Sequence, residues 1–265
     1  AYLVYNYINN IKQNQYLVIG PNPVFLKYIK SVLPELDVDG VEQCTYESFA
    51  KEYINEDINI NASDKKVNKS ISGKKGYDVD KFKCSMKYKT MLEEFMKVYF
   101  YSITSKPLML GDFEVLPKEI ITQAFQSTEN GLTGSLSSRV ENTIDKLCRY
   151  IENNQDSIIE RYTKYSYELF KTAKTDADKN KMRAMFAKDR TEISKYCRGA
   201  LRKYFNKAKM DTTKLYKLFV SSVSDYNIYG YNGINELKKE TMKSIKDNSY
   251  DFEDLAALMY IKMLI

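Results

Sequence analysis

The stretch Tyr16-Leu17-Val18-Ile19-Gly20-Pro21-Asn22-Pro23 decides how the rest of this chain is read. Four apolar residues in a row end on strong turn formers, which predicts a short strand. Unbroken apolarity suits a strand covered on both faces, as in a parallel sheet. Val24 to Leu33 follows with helical spacing (Val24, Phe25, Tyr28, Ile29, Val32) and stops at Pro34. Val41 to Thr45 reads as a second strand and Tyr46 to Ile54 as a second helix. Strand, helix, strand, helix at this spacing is a βαβ unit. Upstream, Ala1 to Lys12 reads as a helix from Leu3, Val4, Tyr7, Ile8 and Ile11. It lacks an N-cap and opens on apolar residues, the pattern expected of a truncated domain.

Downstream of the unit the pattern changes. Residues 55–80 are rich in Asn, Asp, Ser, Lys and Gly, which predicts a loop or linker. Helical spacing returns over Ser85 to Tyr101. Met109 to Val115 reads as a short strand, and Pro117 to Phe125 as a helix with proline in its first turn. From Val140 apolar residues recur at Ile144, Leu147, Ile151, Ile158, Tyr162, Tyr165 and Leu169. They resume at Met182, Phe186, Ile193, Cys197, Leu201, Phe205 and Ala208 after the polar stretch 172–178. Two long amphipathic helices joined by a polar turn predict an antiparallel helical hairpin. Asn154 and Asp189 fall on its apolar seams, where packing should be imperfect. Thr212 to Val223 reads as a helix with Asp211 as candidate N-cap. Ile234 to Lys246 and Asp251 to Ile265 read as further helices.

Composition removes several chemistries. The chain has no His, so imidazole-based triads, acid–base pairs and most catalytic zinc sites are excluded. Cys44, Cys84, Cys148 and Cys197 form no C-x-x-C pair and read as buried, reduced thiols. No apolar run is long enough to span a membrane and no signal peptide opens the chain, so a cytoplasmic protein without membrane contact is expected. Net charge is +6. Residues 179–209 alone hold eleven Lys or Arg against Asp189 and Glu192, a net of +9. Arg190, Arg198, Arg202 and Lys203 are therefore candidates for a basic surface that meets nucleic acid. The competing reading is a solvated face balanced by Glu141, Asp145, Glu152, Asp156, Glu160 and Glu168 on the preceding helix.

No G-x-x-x-x-G-K-[ST] loop is present. Ser72-Gly-Lys-Lys-Gly76 has lysine where a magnesium-binding hydroxyl belongs and does not follow a strand. No acidic pair ends a buried apolar strand, so no catalytic residue and no metal ligand is assigned.

Four segments carry a resemblance. Tyr16-Leu-Val-Ile-Gly-Pro-Asn-Pro-Val-Phe-Leu-Lys-Tyr-Ile29 with Ser31-Val-Leu-Pro-Glu-Leu36 resembles the segment after the Walker A helix in UvrD/Rep-like superfamily 1 helicases of the HelD type. Val41-Glu-Gln-Cys-Thr-Tyr-Glu-Ser-Phe-Ala50 resembles that family's next strand and turn. Phe82-Lys-Cys-Ser-Met-Lys-Tyr-Lys89 is similar to its Phe-Lys-Gly-Ser run, with Cys84 in place of glycine. Asp254-Leu-Ala-Ala-Leu-Met-Tyr-Ile261 looks like the helix before Walker B.

The resemblance implies an α/β fragment, part of the parallel sheet of a P-loop motor domain, interrupted by a large, mostly helical insertion that contains the hairpin. The motor piece would be 1–54, the linker 55–80, the insertion or arm 81–248, and the returning motor helix 249–265. Gly20, Pro21 and Asn22 would fall on motif Ia, and Thr45, Tyr46 and Ser48 on motif Ib, both contacting nucleic acid. Glu47 departs from the His common in UvrD. ATP and magnesium would be cofactors of the parent protein and not of this piece. DNA, RNA polymerase or both would be partners. The alternative is a non-enzymatic helical module that contacts RNA polymerase rather than DNA.

Overall fold

A computed structural model describes residues 15–32, 41–61, 76–128, 135–195 and 197–265. The expected helix over Ala1 to Lys12, the Leu33–Leu36 part of the first resemblance, and residues 62–75 of the expected linker lie outside them. In chain order the elements are β1 (Leu17–Gly20), α1 (Pro23–Val32), β2 (Glu42–Thr45), α2 (Tyr46–Ile54), β3 (Asn59–Ile60), α3 (Gly76–Lys83) and α4 (Met86–Ile103). A hairpin of β4 (Leu108–Leu110) and β5 (Phe113–Leu116) follows, then α5 (Lys118–Gln126), α6 (Leu136–Asn153), α7 (Gln155–Lys171), α8 (Asp176–Lys195) and α9 (Cys197–Ala208). The chain closes with α10 (Thr212–Ser222), a 3-10 turn over Val223–Tyr226, α11 (Ile234–Lys246), β6 (Ser249–Tyr250) and α12 (Phe252–Leu264). The protein is thus predominantly helical, with three two-stranded sheets among the described residues. No helix of the described residues is long and apolar enough to cross a membrane.

Two compact units divide the chain. Unit 1 comprises Ala1–Leu92 and Thr212–Lys262; unit 2 comprises Glu93–Asp211 and Met263–Ile265.

In unit 1, β1 and β2 pair in parallel, with Leu17 opposite Glu42 and Gly20 opposite Thr45. The strand–helix–strand–helix reading therefore holds. The expectation that β1 is covered on both faces does not: Leu17 and Ile19 are 39% and 48% exposed, and α1 has no buried residue. Among the described residues β1 has only one strand partner, and the helices α1 and α2 beside it leave part of its apolar surface open. The core of the unit lies elsewhere. Met91, Leu215, Phe219, Leu237, Leu255 and Leu258 are all at or below 1% exposure and come from four different helices. Burying such side chains contributes roughly 1.5–3 kcal/mol each.

Part of the expected linker is ordered into this core. Ile58 is fully buried, and β3 pairs in parallel with β6, Asn59 opposite Ser249 and Ile60 opposite Tyr250. Asn55 ends α2 in the left-handed region at φ 50, a conformation its short amide side chain tolerates. A two-residue ladder whose partner lies near the other end of the chain leaves no periodic signal, so composition alone reads it as loop.

In unit 2, the single strand expected over Met109 to Val115 is a β4–β5 hairpin, Leu110 opposite Phe113. Its loop is Gly111-Asp112, with Gly111 at φ 58. Positive φ at the first loop position alone marks a type II′ turn, which matches the twist of the strands. Pro117 caps α5 from outside rather than starting it.

The first long helix read from the heptad-like spacing is two helices here. α6 and α7 meet at Asn154, whose side-chain amide donates to the Tyr150 carbonyl at 2.8 Å. The same carbonyl also accepts the Asn154 backbone amide at 3.1 Å, so Asn154 closes the α6 end with both its backbone and its side chain. α9 packs on α6, and α8 packs on α7. Asp189, the other polar residue on an apolar seam, accepts the Tyr162 hydroxyl at 2.7 Å. Tyr162 is itself buried, edge-on to Phe113 at 5.1 Å and to Phe186 at 6.1 Å. Cys148 is buried, but Cys84 is exposed, which corrects the reading of the thiols as uniformly buried. Cys84 stands at the break between α3 and α4.

Candidate nucleic-acid interface at the strand ends

Parallel pairing brings Gly20 and Thr45 side by side at the carboxyl ends of β1 and β2. Each strand runs straight into a helix, so two helix N-termini open at one edge. In open α/β sheets this edge is where ligands gather, because helix dipoles and unpaired amides point there.

Local chemistry explains both turns. Gly20 is buried, and a Cβ at this position would lie 2.5 Å from Leu26 Cδ2, so any larger residue would have to displace the Leu26 side chain. Pro23 begins α1, where its missing N–H costs nothing. Asn22 Oδ1 accepts the Phe25 amide at 2.8 Å, an N-cap bond. At the neighbouring turn Thr45 adopts extended backbone at φ −81, ψ 162. Its Oγ1 accepts the Ser48 amide at 3.2 Å and donates to Ser48 Oγ at 3.1 Å.

The structure thus brings the motif Ia and Ib candidates together: Pro21, Asn22 and Ser48 are exposed, and Thr45 and Tyr46 are half-buried. Their available donors are few. Prolines at 21 and 23 remove two amides, and the Phe25 and Ser48 amides are already engaged by Asn22 and Thr45. The Tyr46 ring lies against Phe252 at 5.1 Å and 55°, so one of its faces is covered. Burial, and then the nearby Cys84, push the Tyr46 hydroxyl above its ordinary range, so it remains a neutral donor. What this edge can do chemically is hold an anion weakly, through hydroxyls and helix-terminal amides.

The basic-arm candidates have partly different employment. Arg198 pairs with Asp145 at 2.5 Å and Arg202 with Glu141 at 3.2 Å. Both acids belong to the set expected to balance the basic helix. Lys203 and Arg190 are exposed. Exposed pairs of this kind are screened by solvent, so they orient the helices more than they stabilise them.

Sequence reasoning missed two carboxylates that organise unit 1. Asp254, fully buried, accepts Lys83 Nζ at 2.7 Å and the Tyr216 hydroxyl at 2.6 Å. Lys83 and Asp254 both lie in segments quoted for the family resemblance, yet nothing in the sequence pairs them across a separation of 171 residues.

Glu56 is the second. It accepts the Thr212 amide at 2.7 Å, the Thr213 amide at 3.0 Å and the Thr213 hydroxyl at 2.8 Å. These are the first amides of α10, the helix for which Asp211 was the expected cap. Burial pushes the Glu56 carboxyl up, but the hydrogen bonds from Thr213 and Thr212 together outweigh it and hold the group below its usual range. A depressed carboxylate adds stability above its unfolded value of about 4.3 and loses it as pH falls through the folded value. The midpoint of urea unfolding should therefore drop as pH falls below about 4.3, and less so in Glu56→Gln. Equal drops in both proteins would rule Glu56 out as the source.

Asp80, Asp251 and Glu253, all half-buried, have carboxylate oxygens within 4.8 Å of one another. Asp251 Oδ1 also accepts from Asn61 Nδ2 at 2.9 Å, and Ser249 Oγ donates to Asn61 Oδ1. The cluster thus forms part of the hydrogen bonding that surrounds the β3–β6 ladder.

No protein-family model matches the chain, and no curated protein matches it.

Proposed function

We propose that this chain is the middle of the first motor domain of an ATP-driven translocase of the UvrD/Rep-like, HelD type, with unit 2 as its arm. The observation that carries the reading is the parallel register of β1 and β2, Gly20 beside Thr45, with a capped helix leaving each strand end. That is the arrangement in which motifs Ia and Ib of such a motor would share one edge and meet a nucleic-acid backbone. The outgoing helices α6 and α7 and the returning α8 and α9 would form the arm's hairpin. The P-loop and the acidic strand that bind ATP and magnesium belong, in this reading, to sequence outside the chain.

The test is ATP turnover. The 265-residue chain is expected to show none, and extension by its natural flanking sequence to restore it. Turnover by the chain itself, or none after extension, overturns the motor reading.

A second reading is favoured by one observation. With Arg198 and Arg202 held by Asp145 and Glu141, the basic helix is partly neutralised, which suits a protein partner better than DNA. Gel shifts with single-stranded and duplex DNA across a salt series, beside capture of core RNA polymerase, separate the two. Phosphate contacts weaken steeply with salt, roughly as the 0.7–0.9 power of salt concentration per contact. Polymerase capture without any DNA shift identifies the arm as a protein-binding module.

A further inference from the structure

The chain leaves unit 1 along α4 and returns to it along α10, and each of these helices carries a buried tyrosine. The hydroxyls of Tyr88 and Tyr216 are 3.1 Å apart. Tyr216 donates its one proton to Asp254 Oδ1, so the proton between the two tyrosines comes from Tyr88. Lys83 Nζ meets the same Asp254 oxygen, and Oδ2 accepts the Asp251 amide at 3.0 Å. One carboxylate on α12 therefore gathers α3 and α10 directly, and α4 through the Tyr216 hydroxyl.

We infer that Lys83, Tyr88, Tyr216 and Asp254 form a buried latch that holds the departing and returning helices to the start of α12 and that opens as a single unit. The reason is an asymmetry of buried charge. With every partner in place the cluster is satisfied, whereas removing one partner leaves an uncompensated charge or hydroxyl in the core. Half-open states are therefore disfavoured, and the cluster has two discrete arrangements. Burial, with the Asp254 charge next, pushes both tyrosine hydroxyls above their usual range, so they stay neutral donors in the closed form. Opening also releases the Asp251 amide, and with it β6, whose ladder with β3 is only two residues long. The inference does not depend on the motor reading.

Hydrogen exchange of the full chain, read by mass spectrometry, tests it with Tyr216→Phe, which keeps the ring and removes the hydroxyl. Exchange should rise together in residues 86–92 and 252–255, by at least about tenfold, the effect of losing a hydrogen bond to a charged group. Residues 136–153 should be unchanged. A rise confined to α10, a uniform rise, or no rise overturns the latch. Tyr88→Phe leaves the Lys83–Asp254 pair intact and must raise the same two segments to a smaller degree; it decides the matter should Tyr216→Phe fail to fold.

Discussion

Asp254→Ala is expected to cost unit 1 about 3–5 kcal/mol, the usual loss when one partner of a buried ion pair is removed. Lys83, 5% exposed, would be left as a buried ammonium with no carboxylate, and the Tyr216 hydroxyl would lose its acceptor. Set against the roughly 5–15 kcal/mol that holds a whole domain together, this leaves the unit at its margin. With 23 Tyr and no Trp, unfolding in urea is best followed by far-ultraviolet circular dichroism and by exchange within α11. The control is Lys83→Met with Asp254→Leu. Removing both charges together should recover most of the loss, because apolar replacement of a buried pair is often neutral or stabilising. A double variant as unstable as the single one would mean that Asp254 acts through its shape and not through its charge.

Phe125→Ala is expected to cost unit 2 a similar 3–5 kcal/mol, through lost transfer energy and the cavity left behind. Phe125 is fully buried, and the Arg139 guanidinium lies 4.3 Å from its ring centroid, with Phe100 at 5.5 Å from the same group. The aromatic faces help a buried cation tolerate its position, an interaction worth about 0.5–2 kcal/mol. Phe125→Leu keeps most of the volume and removes the π-face, so it should lose only that smaller part. Exchange in α6 reads the effect directly, and α11 of unit 1 serves as reference. Equal losses in the Leu and Ala variants would transfer the whole effect to the ring's charge distribution and away from packing.

What was legible in the sequence follows the range of the interactions involved. β1, β2 and the helices after them rest on local apolar runs and on caps three residues away, Asn22 to Phe25 and Thr45 to Ser48, so they could be read in place. The same holds for α11, whose ends were expected where they are found. The hairpin periodicity was visible too, but a helix broken at Asn154 keeps its apolar spacing across the break and so looks continuous. β3 and β6 were invisible because each is two residues long and needs the other. Of the candidate site, the neighbourhood of Gly20 and Thr45 could be foreseen. The covering of Tyr46 by Phe252 could not, since that contact joins opposite ends of the chain. The balance of the arm's charges was foreseeable in kind, while the particular pairs, Arg198 with Asp145 and Arg202 with Glu141, came only from the packing of α9 on α6.

Unit 1 is discontinuous, and that orders events during synthesis. A ribosome adding about 5–20 residues per second exposes Lys83 roughly 10–30 s before Asp254 emerges. Almost all of unit 2 is available within that interval, so it can fold while the first half of unit 1 is still waiting for its complement. Throughout the wait the apolar side of α3 and α4 is uncovered in the nascent chain, which makes that window the period of greatest exposure to chaperones and to misassociation with neighbouring chains.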